Sequence, residues 1–116
     1  MNAEELRNAL RQFTGTENWY RHELTQNMTY TDGVKFFADR AGAYWLVDIM
    51  AMQPEISQAP FSHVALLVME DETASLVADD GDGNVQYSRN IVFTDCPVGL
   101  WQFYVTDRVI MLPSEY

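Results

Sequence analysis

One cysteine, one lysine and no long apolar run mark what this 116-residue chain has little of. With Cys96 alone, no internal disulfide can form, and a reducing compartment is the expected home. The most apolar stretch, Ala41 to Met52, is interrupted by Asp48 and is far too short to cross a bilayer. The start, Met1-Asn2-Ala3-Glu4-Glu5, is acidic and lacks the apolar run of a signal peptide. These absences predict a cytoplasmic protein with no membrane contact. Lys35 and six arginines are the only fixed positive charges, and none lies between Ala41 and Ser88. Without a basic patch, direct binding to a DNA or RNA backbone is not expected.

What the chain has is acid. Asp48, Glu55, Glu70, Asp71, Glu72, Asp79, Asp80 and Asp82 all fall in the segment without lysine or arginine, and the formal net charge is -10. A one-signed field on a small body repels anions and attracts basic surfaces. Acidity alone can signal disorder, but disorder also needs low hydrophobicity. Here 47% of residues are apolar and three are tryptophan, which supplies a core for one domain over residues 1–116.

The pattern reads as α+β. Asn2 with Glu5 resembles a helix cap, followed by Leu6, Leu10 and Phe13 at helical spacing, ending near Thr14-Gly15-Thr16. Trp19 to Tyr30 holds one or two short extended pieces, with Gln26-Asn27 as a turn. Thr31 or Asp32 caps a central helix in which Val34, Ala38, Ala41, Trp45, Ile49 and Met52 share one face, which predicts a buried Trp45. Gly42 divides or kinks it. Pro54 and Pro60 bracket a linker. Strands follow over 61–69, 74–78, 85–93, 100–105 and 109–112, with Val85, Tyr87, Arg89, Ile91 and Phe93 forming one buried face. The expected architecture is an N-terminal and a central helix packed on one face of an antiparallel meander of about four to five strands.

Three segments carry a family likeness: Thr14-Gly15-Thr16-Glu17 with Tyr20-Arg21-His22; Tyr30-Thr31-Asp32-Gly33-Val34 running into Ala41-Gly42-Ala43-Tyr44-Trp45-Leu46; and the terminal Leu112-Pro113-Ser114-Glu115-Tyr116. Together they resemble an uncharacterised family of small acidic bacterial proteins, also seen on phages and other mobile elements. The resemblance implies a stand-alone cytoplasmic domain and transfers no catalytic residue. A small acidic protein on a mobile element further suggests an inhibitor of host defence, of the anti-CRISPR type.

Candidate sites follow from the acids. The turns Glu70-Asp71-Glu72 and Asp79-Asp80-Gly81-Asp82 lie at opposite ends of one strand, roughly 20 Å apart at about 3.3 Å per residue. Two such clusters on a stiff sheet can imitate spaced phosphates for a protein that holds nucleic acid with Lys and Arg. The same acids also serve solubility as turn decoration. Asp80, Asp82 and Asn84 alternate as in a calcium loop, but Val85 stands where that loop needs Gly, and Ile91 where it needs Glu. His22, His63 and Cys96 are scattered and make no zinc signature, so no metal or cofactor is expected. His63 reads as a satisfied strand residue and Cys96 as a small buried hydrophobe. Asp48, within an apolar stretch, reads as a buried acid held by Arg21, Arg40 or a tyrosine hydroxyl. Tyr44 lies off the apolar helix face and is a candidate contact residue.

The leading expectation is therefore a non-enzymatic, acidic protein-binding module. Its partner is a basic surface of a nucleic-acid-binding protein, engaged through Glu70, Asp71, Glu72, Asp79, Asp80, Asp82 and Tyr44. Two rivals stand beside it. One is a small enzyme with a carboxylate or histidine site. The other is a structural homodimer that meets through the helix around Tyr44.

Overall fold

Asn2 opens the first helix as its side chain allows: Oδ1 accepts the Glu5 N–H at 2.8 Å, closing one orphan donor of α1 (Ala3–Leu10). A computed structural model describes residues 1–25 and 27–116 of the chain, so the Gln26-Asn27 turn falls partly outside the described residues. Two short strands follow, β1 (Trp19–Arg21) and β2 (Thr29–Thr31). Thr31 then caps α2 (Asp32–Ala41), its hydroxyl accepting from the Val34 N–H. Gly42, at φ 63°, ends that helix in the left-handed conformation that favours glycine. Helix α3 (Tyr44–Met52) starts afresh after this left-handed break.

This break corrects the expected helix face. Trp45, Ile49 and Met52 continue the α2 stripe only if the helix runs straight through residue 42. Because Gly42 reorients the chain, α3 buries Leu46, Val47, Met50 and Ala51 instead. Trp45 and Ile49 are half-buried against the core, and Met52 is exposed. The expected linker is also corrected: Pro54 starts a one-turn helix, α4 (Pro54–Ser57), whose Ile56 is buried. Proline suits a first helical position because its missing N–H has no partner there to lose.

The remaining strands are β3 (Ser62–Val68), β4 (Ala74–Asp79), β5 (Val85–Ile91), β6 (Gly99–Thr106) and β7 (Val109–Met111). Among the described residues, the seven strands form one sheet in the order β1-β2-β7-β6-β3-β4-β5. The α+β class stands, but the sheet is larger than expected and mixed. Strands β1 and β2 join its far edge, and β2 runs parallel to β7. Asp107 and Arg108, both at positive φ, make the tight turn between β6 and β7.

Alternation sets two faces. Val64, Leu66, Val68, Leu76, Trp101, Phe103 and Val105 point into the helical layer and are buried. Phe37 of α2 sits between Trp101 and Phe103, with ring centroids 5.5 and 5.1 Å away. The opposite face, with Ala65, Leu67, Val77, Leu100, Gln102 and Tyr104, carries no helical layer among the described residues, and none of these side chains is fully buried. Strand β5 corrects a further expectation. It is an edge strand: Val85 is exposed, Tyr87 and Ile91 are only half-buried, and Phe93 lies beyond its end in solvent. Tyr87 and Ile91 lie opposite Ala78 and Ala74 on the helical side, but the sheet ends there and too little covers them, and a bulge between Tyr87 and Val85 sets Val85 opposite Asp79 on the other face.

Candidate binding surface

The segments Thr14–Glu17, Tyr30–Val34 and Leu112–Tyr116 converge in space. Asp32 accepts hydrogen bonds from the Glu17 N–H at 3.0 Å, the Thr16 hydroxyl at 3.1 Å and the Tyr20 hydroxyl at 2.9 Å, with Asn18 adding its backbone and side-chain amides. These donors, the Glu17 amide first, hold its carboxyl down at about 2. Glu115 accepts from the Thr31 hydroxyl at 2.6 Å, the Gly33 N–H at 3.0 Å and the Leu112 N–H at 3.0 Å. A Cβ on Gly33 would stand 2.5 Å from Leu112 Cδ1 and 2.7 Å from Glu115 Oε1. Both carboxylates are saturated by donors from the chain itself. The cluster is a latch that ties the N-terminus of α2 to β1 and to the chain end.

A second polar cluster lies beside α3. His22 is buried, and its Nε2 meets Asp48 Oδ1 at 2.7 Å. Its Nδ1 stands 3.1 Å from the Thr25 hydroxyl and 3.3 Å from the Thr25 N–H; with the ring hydrogen assigned to Nε2, it accepts from that amide and donates to Asp48. Asp48 is thus held by His22 and not by arginine or tyrosine, and its side chain is 49% exposed rather than buried. Nearby, Tyr44 donates to Asp39 at 2.5 Å, and Lys35 binds the other Asp39 oxygen at 2.8 Å. Tyr20 and Tyr30 stack, and Tyr44 meets Tyr30 edge-on. Burial and the Asp39 carboxylate push the Tyr44 hydroxyl well above the ordinary tyrosine range. The hollow between these groups measures about 390 Å³. A general base needs an unengaged lone pair near the reacting group. Here the His22 lone pair is taken by the Thr25 amide, and the tyrosine stays protonated. The pairing of His22 with Asp48 was invisible in the sequence, since no local spacing links residues in a loop and a helix.

The remaining sequence candidates sort cleanly. His63 bridges Asp79 at 3.1 Å and Gln102 at 2.8 Å across three strands, a satisfied sheet residue. Cys96 is buried with its thiol 3.8 Å from the Ala41 carbonyl, and burial pushes the thiol up, which favours its protonated form. Among the described residues, no three His, Cys, Asp or Glu side chains gather as a metal-ligand set, and no helix is long and apolar enough to cross a membrane.

The acidic turns lie at the two ends of β4 and do not form one cluster. At one end, Asp79 takes the Gly81 N–H, and Asp80 takes the N–H groups of Asp82 and Asn84 as well as the Asn84 amide. The Asn84 amide and these backbone donors lower the Asp80 carboxyl below its usual range. Asp82 projects freely. At the other end, Asp71 binds the hydroxyl and N–H of Thr73, which lower its carboxyl, while Glu70 and Glu72 are exposed. Beside this second turn the bare sheet face turns apolar. Leu67 on β3 lies directly opposite Leu100 on β6, with 43% and 44% of their surfaces exposed. Just beyond the strand ends, Met69 after β3 and Val98 before β6 are also exposed. An apolar centre with a charged rim is the anatomy of a protein-binding surface.

A model of a family of unknown function, DUF6876, matches residues 4–116, and the chain belongs to that family. No curated protein and no solved structure matches it.

Proposed function

We propose that this member of the DUF6876 family is a non-enzymatic binding module for a basic protein surface. The observation that carries the reading is the apolar row made by the opposed Leu67 and Leu100 on the uncovered sheet face, with exposed Met69 and Val98 just beyond the strand ends and Glu70, Asp71 and Glu72 in the turn that follows Met69. The row supplies area to bury, and the acids select a partner rich in Lys and Arg. A surface that normally holds a nucleic acid has that character, so the protein acts as its competitor. This is the role of an inhibitor of a nucleic-acid-binding host complex, as in anti-defence proteins. The turn at Asp79, Asp80 and Asp82 extends the negative field, and Tyr44, on the helical side, lies outside this contact.

The test is capture from a host lysate with the protein immobilised, across a salt series. Charge-steered binding weakens as salt rises, because screening acts over about 8 Å at physiological ionic strength. The bound partner should be displaced by added duplex or single-stranded nucleic acid. Glu70→Gln, Asp71→Asn and Glu72→Gln combined should release it without unfolding the chain, because Asn keeps the acceptor that Thr73 needs. A partner retained at high salt, indifferent to nucleic acid and still bound by the triple variant, would refute the reading.

A further inference from the structure

The last residue crosses onto the uncovered face of the sheet. Tyr116 packs against Phe61 and Tyr104, with ring centroids 5.8 and 5.3 Å away, yet 67% of its surface stays exposed. Trp19 stands on β1 at the sheet's edge and is 58% exposed. Both rings line one hollow of about 440 Å³, a size that suits a small ligand. Val109 and Met111 line it as well. Met111 pairs with Tyr104 and Val109 with Thr106, which puts both on the bare face and gives the hollow an apolar wall.

The charged groups at this hollow are all of one sign. Asp107 and Glu115 line it, and among the described residues neither has a cation within salt-bridge distance. Glu115 is half-buried, and its donors are the Thr31 hydroxyl and the amides of Gly33 and Leu112, all neutral. Neutral donors spread the charge of a carboxylate and do not cancel it. Arg108, beside Asp107 in the chain, lines a different hollow. The faces of the indole and phenol rings are negative as well.

We propose that this hollow binds an alkylated ammonium group, a positive charge wrapped in methyl or methylene groups. Such a cation gains from ring faces, from the apolar wall and from the two carboxylates, and it needs no hydrogen-bond acceptor. A primary ammonium or a guanidinium brings several N–H donors that each want one. Glu115 has little to offer them, because Oε1 already takes the Thr31 hydroxyl and the Leu112 amide and Oε2 takes the Gly33 amide. The net charge of -10 draws any cation toward the protein, and the rings select among those that arrive. The hollow is separate from the apolar row described above. Leu100 and Thr106, which lines the hollow, stand near opposite ends of β6, roughly 20 Å apart at about 3.3 Å per residue. Ligand binding here is therefore independent of any contact made by Leu67 and Leu100.

The probe is choline, titrated at constant ionic strength into nitrogen-labelled full chain and followed by NMR at the indole N–H signals of Trp19, Trp45 and Trp101. The Trp19 signal should shift saturably. That of Trp101, buried and bonded to the Pro97 carbonyl, should not. The uncharged isostere of choline, with carbon in place of nitrogen, should bind about tenfold more weakly or worse, since only the charge separates the two. In variants the backbone amide of Met111 reports binding. Trp19→Ala and Tyr116→Ala should each weaken choline by about tenfold with an unchanged circular dichroism spectrum, and Trp19→Phe should keep most of the affinity. Leu67→Ser with Leu100→Ser should leave choline binding as it was, so this site and the protein-binding surface fail separately. Trimethyllysine, supplied as its N-acetyl amide, identifies the source of the group: tighter binding than choline assigns it to a side chain of a partner protein, and weaker binding to a free small molecule. Equal affinity for the uncharged isostere overturns the proposal. So does a Trp19 signal that never saturates, or choline binding that survives both alanine variants.

Discussion

The hydroxyl of Thr31 and the carboxylate of Glu115 meet at 2.6 Å although the residues are 84 positions apart in the chain. Thr31 caps α2 while Glu115 receives the Gly33 amide from the same helix start, so the chain end completes the cap. Glu115 is asked only to accept, from the Thr31 hydroxyl and from two backbone N–H groups. The Thr31 and Leu112 donors share Oε1, so one glutamine oxygen keeps both, while its amide hydrogens face the Gly33 N–H that Oε2 accepts. Glu115→Gln should therefore destabilise measurably but less than Glu115→Ala, which loses all three acceptors and should cost about 1–3 kcal/mol. Urea unfolding of both variants measures it, and a glutamine variant of wild-type stability would contradict the latch.

Asp32 gives the fold a definite acid response. Its carboxyl titrates at about 2 in the folded chain, held there by the Glu17 amide and the Thr16, Asn18 and Tyr20 side chains. The unfolded chain titrates nearer the ordinary value of about 3.9 and so binds that proton more readily. Stability from Asp32 is complete above about 4 and falls as pH drops toward about 2. Thermal unfolding of wild type should lose midpoint temperature across that window more steeply than Asp32→Asn. Parallel curves would exclude Asp32 as a source of the acid response.

The clasp between His22 and Asp48 predicts an asymmetric pair of variants. Asp48→Asn keeps an acceptor for the Nε2 hydrogen and should change stability by under about 1 kcal/mol, since an exposed carboxylate is replaced by a carbonyl. His22→Ala removes a buried ring that bridges the Thr25 amide and Asp48, and should cost about 1–3 kcal/mol. Chemical denaturation separates the two. Equal losses would mean that the charge of Asp48, and not its geometry, holds the loop.

Phe37 and Trp45 test where the helices turn. Phe37 is 1% exposed between two aromatic rings of β6, and Phe37→Ala should cost about 3–5 kcal/mol. Trp45 is the larger side chain but only half-buried, so Trp45→Ala should cost less. Gly42→Ala adds the strain of a side chain in the left-handed region, about 1 kcal/mol. If Trp45→Ala proved the most damaging of the three, the straight-helix register would be right after all.

The readable parts of this fold are those written locally. The Asn2 cap, the strand from Phe61 to Met69, both acidic turns and the hairpin at Asp107-Arg108 each announce themselves in a few adjacent residues. The parts that escaped depend on distance. Nothing near Thr29–Thr31 shows that it pairs in parallel with Val109, about eighty residues on. Periodicity continued a stripe through Gly42 because it counts residues and cannot see a left-handed turn. Alternation gave Tyr87, Arg89 and Ile91 one face, but it could not see the bulge that moves Val85 to the other, nor the strand's place at the edge, which only the strand order decides. At the candidate surface the acids were legible from composition, whereas the row from Leu67 to Leu100 was not. Phe61–Met69 reads as a continuous apolar run, and covering only one side of the sheet is a fact about the helices' number and placement.

That uncovered row supplies the last prediction. Leu67 and Leu100 are opposed and partly exposed, and each can reach only the other and its neighbours on the bare face. Polar substitution there removes little packing from the core beneath, so Leu67→Ser with Leu100→Ser should shift stability by no more than about 1 kcal/mol. The same change removes the apolar centre of the proposed contact while leaving Glu70, Asp71 and Glu72 in place. Truncating a buried anchor at an interface costs about 2 kcal/mol or more, so partner affinity should fall by more than tenfold. The two effects are measured on one sample, by urea unfolding and by titration against the captured partner. A variant that loses stability and binding in equal proportion would make the row part of the fold. A variant that keeps both would leave the acids as the whole of the surface.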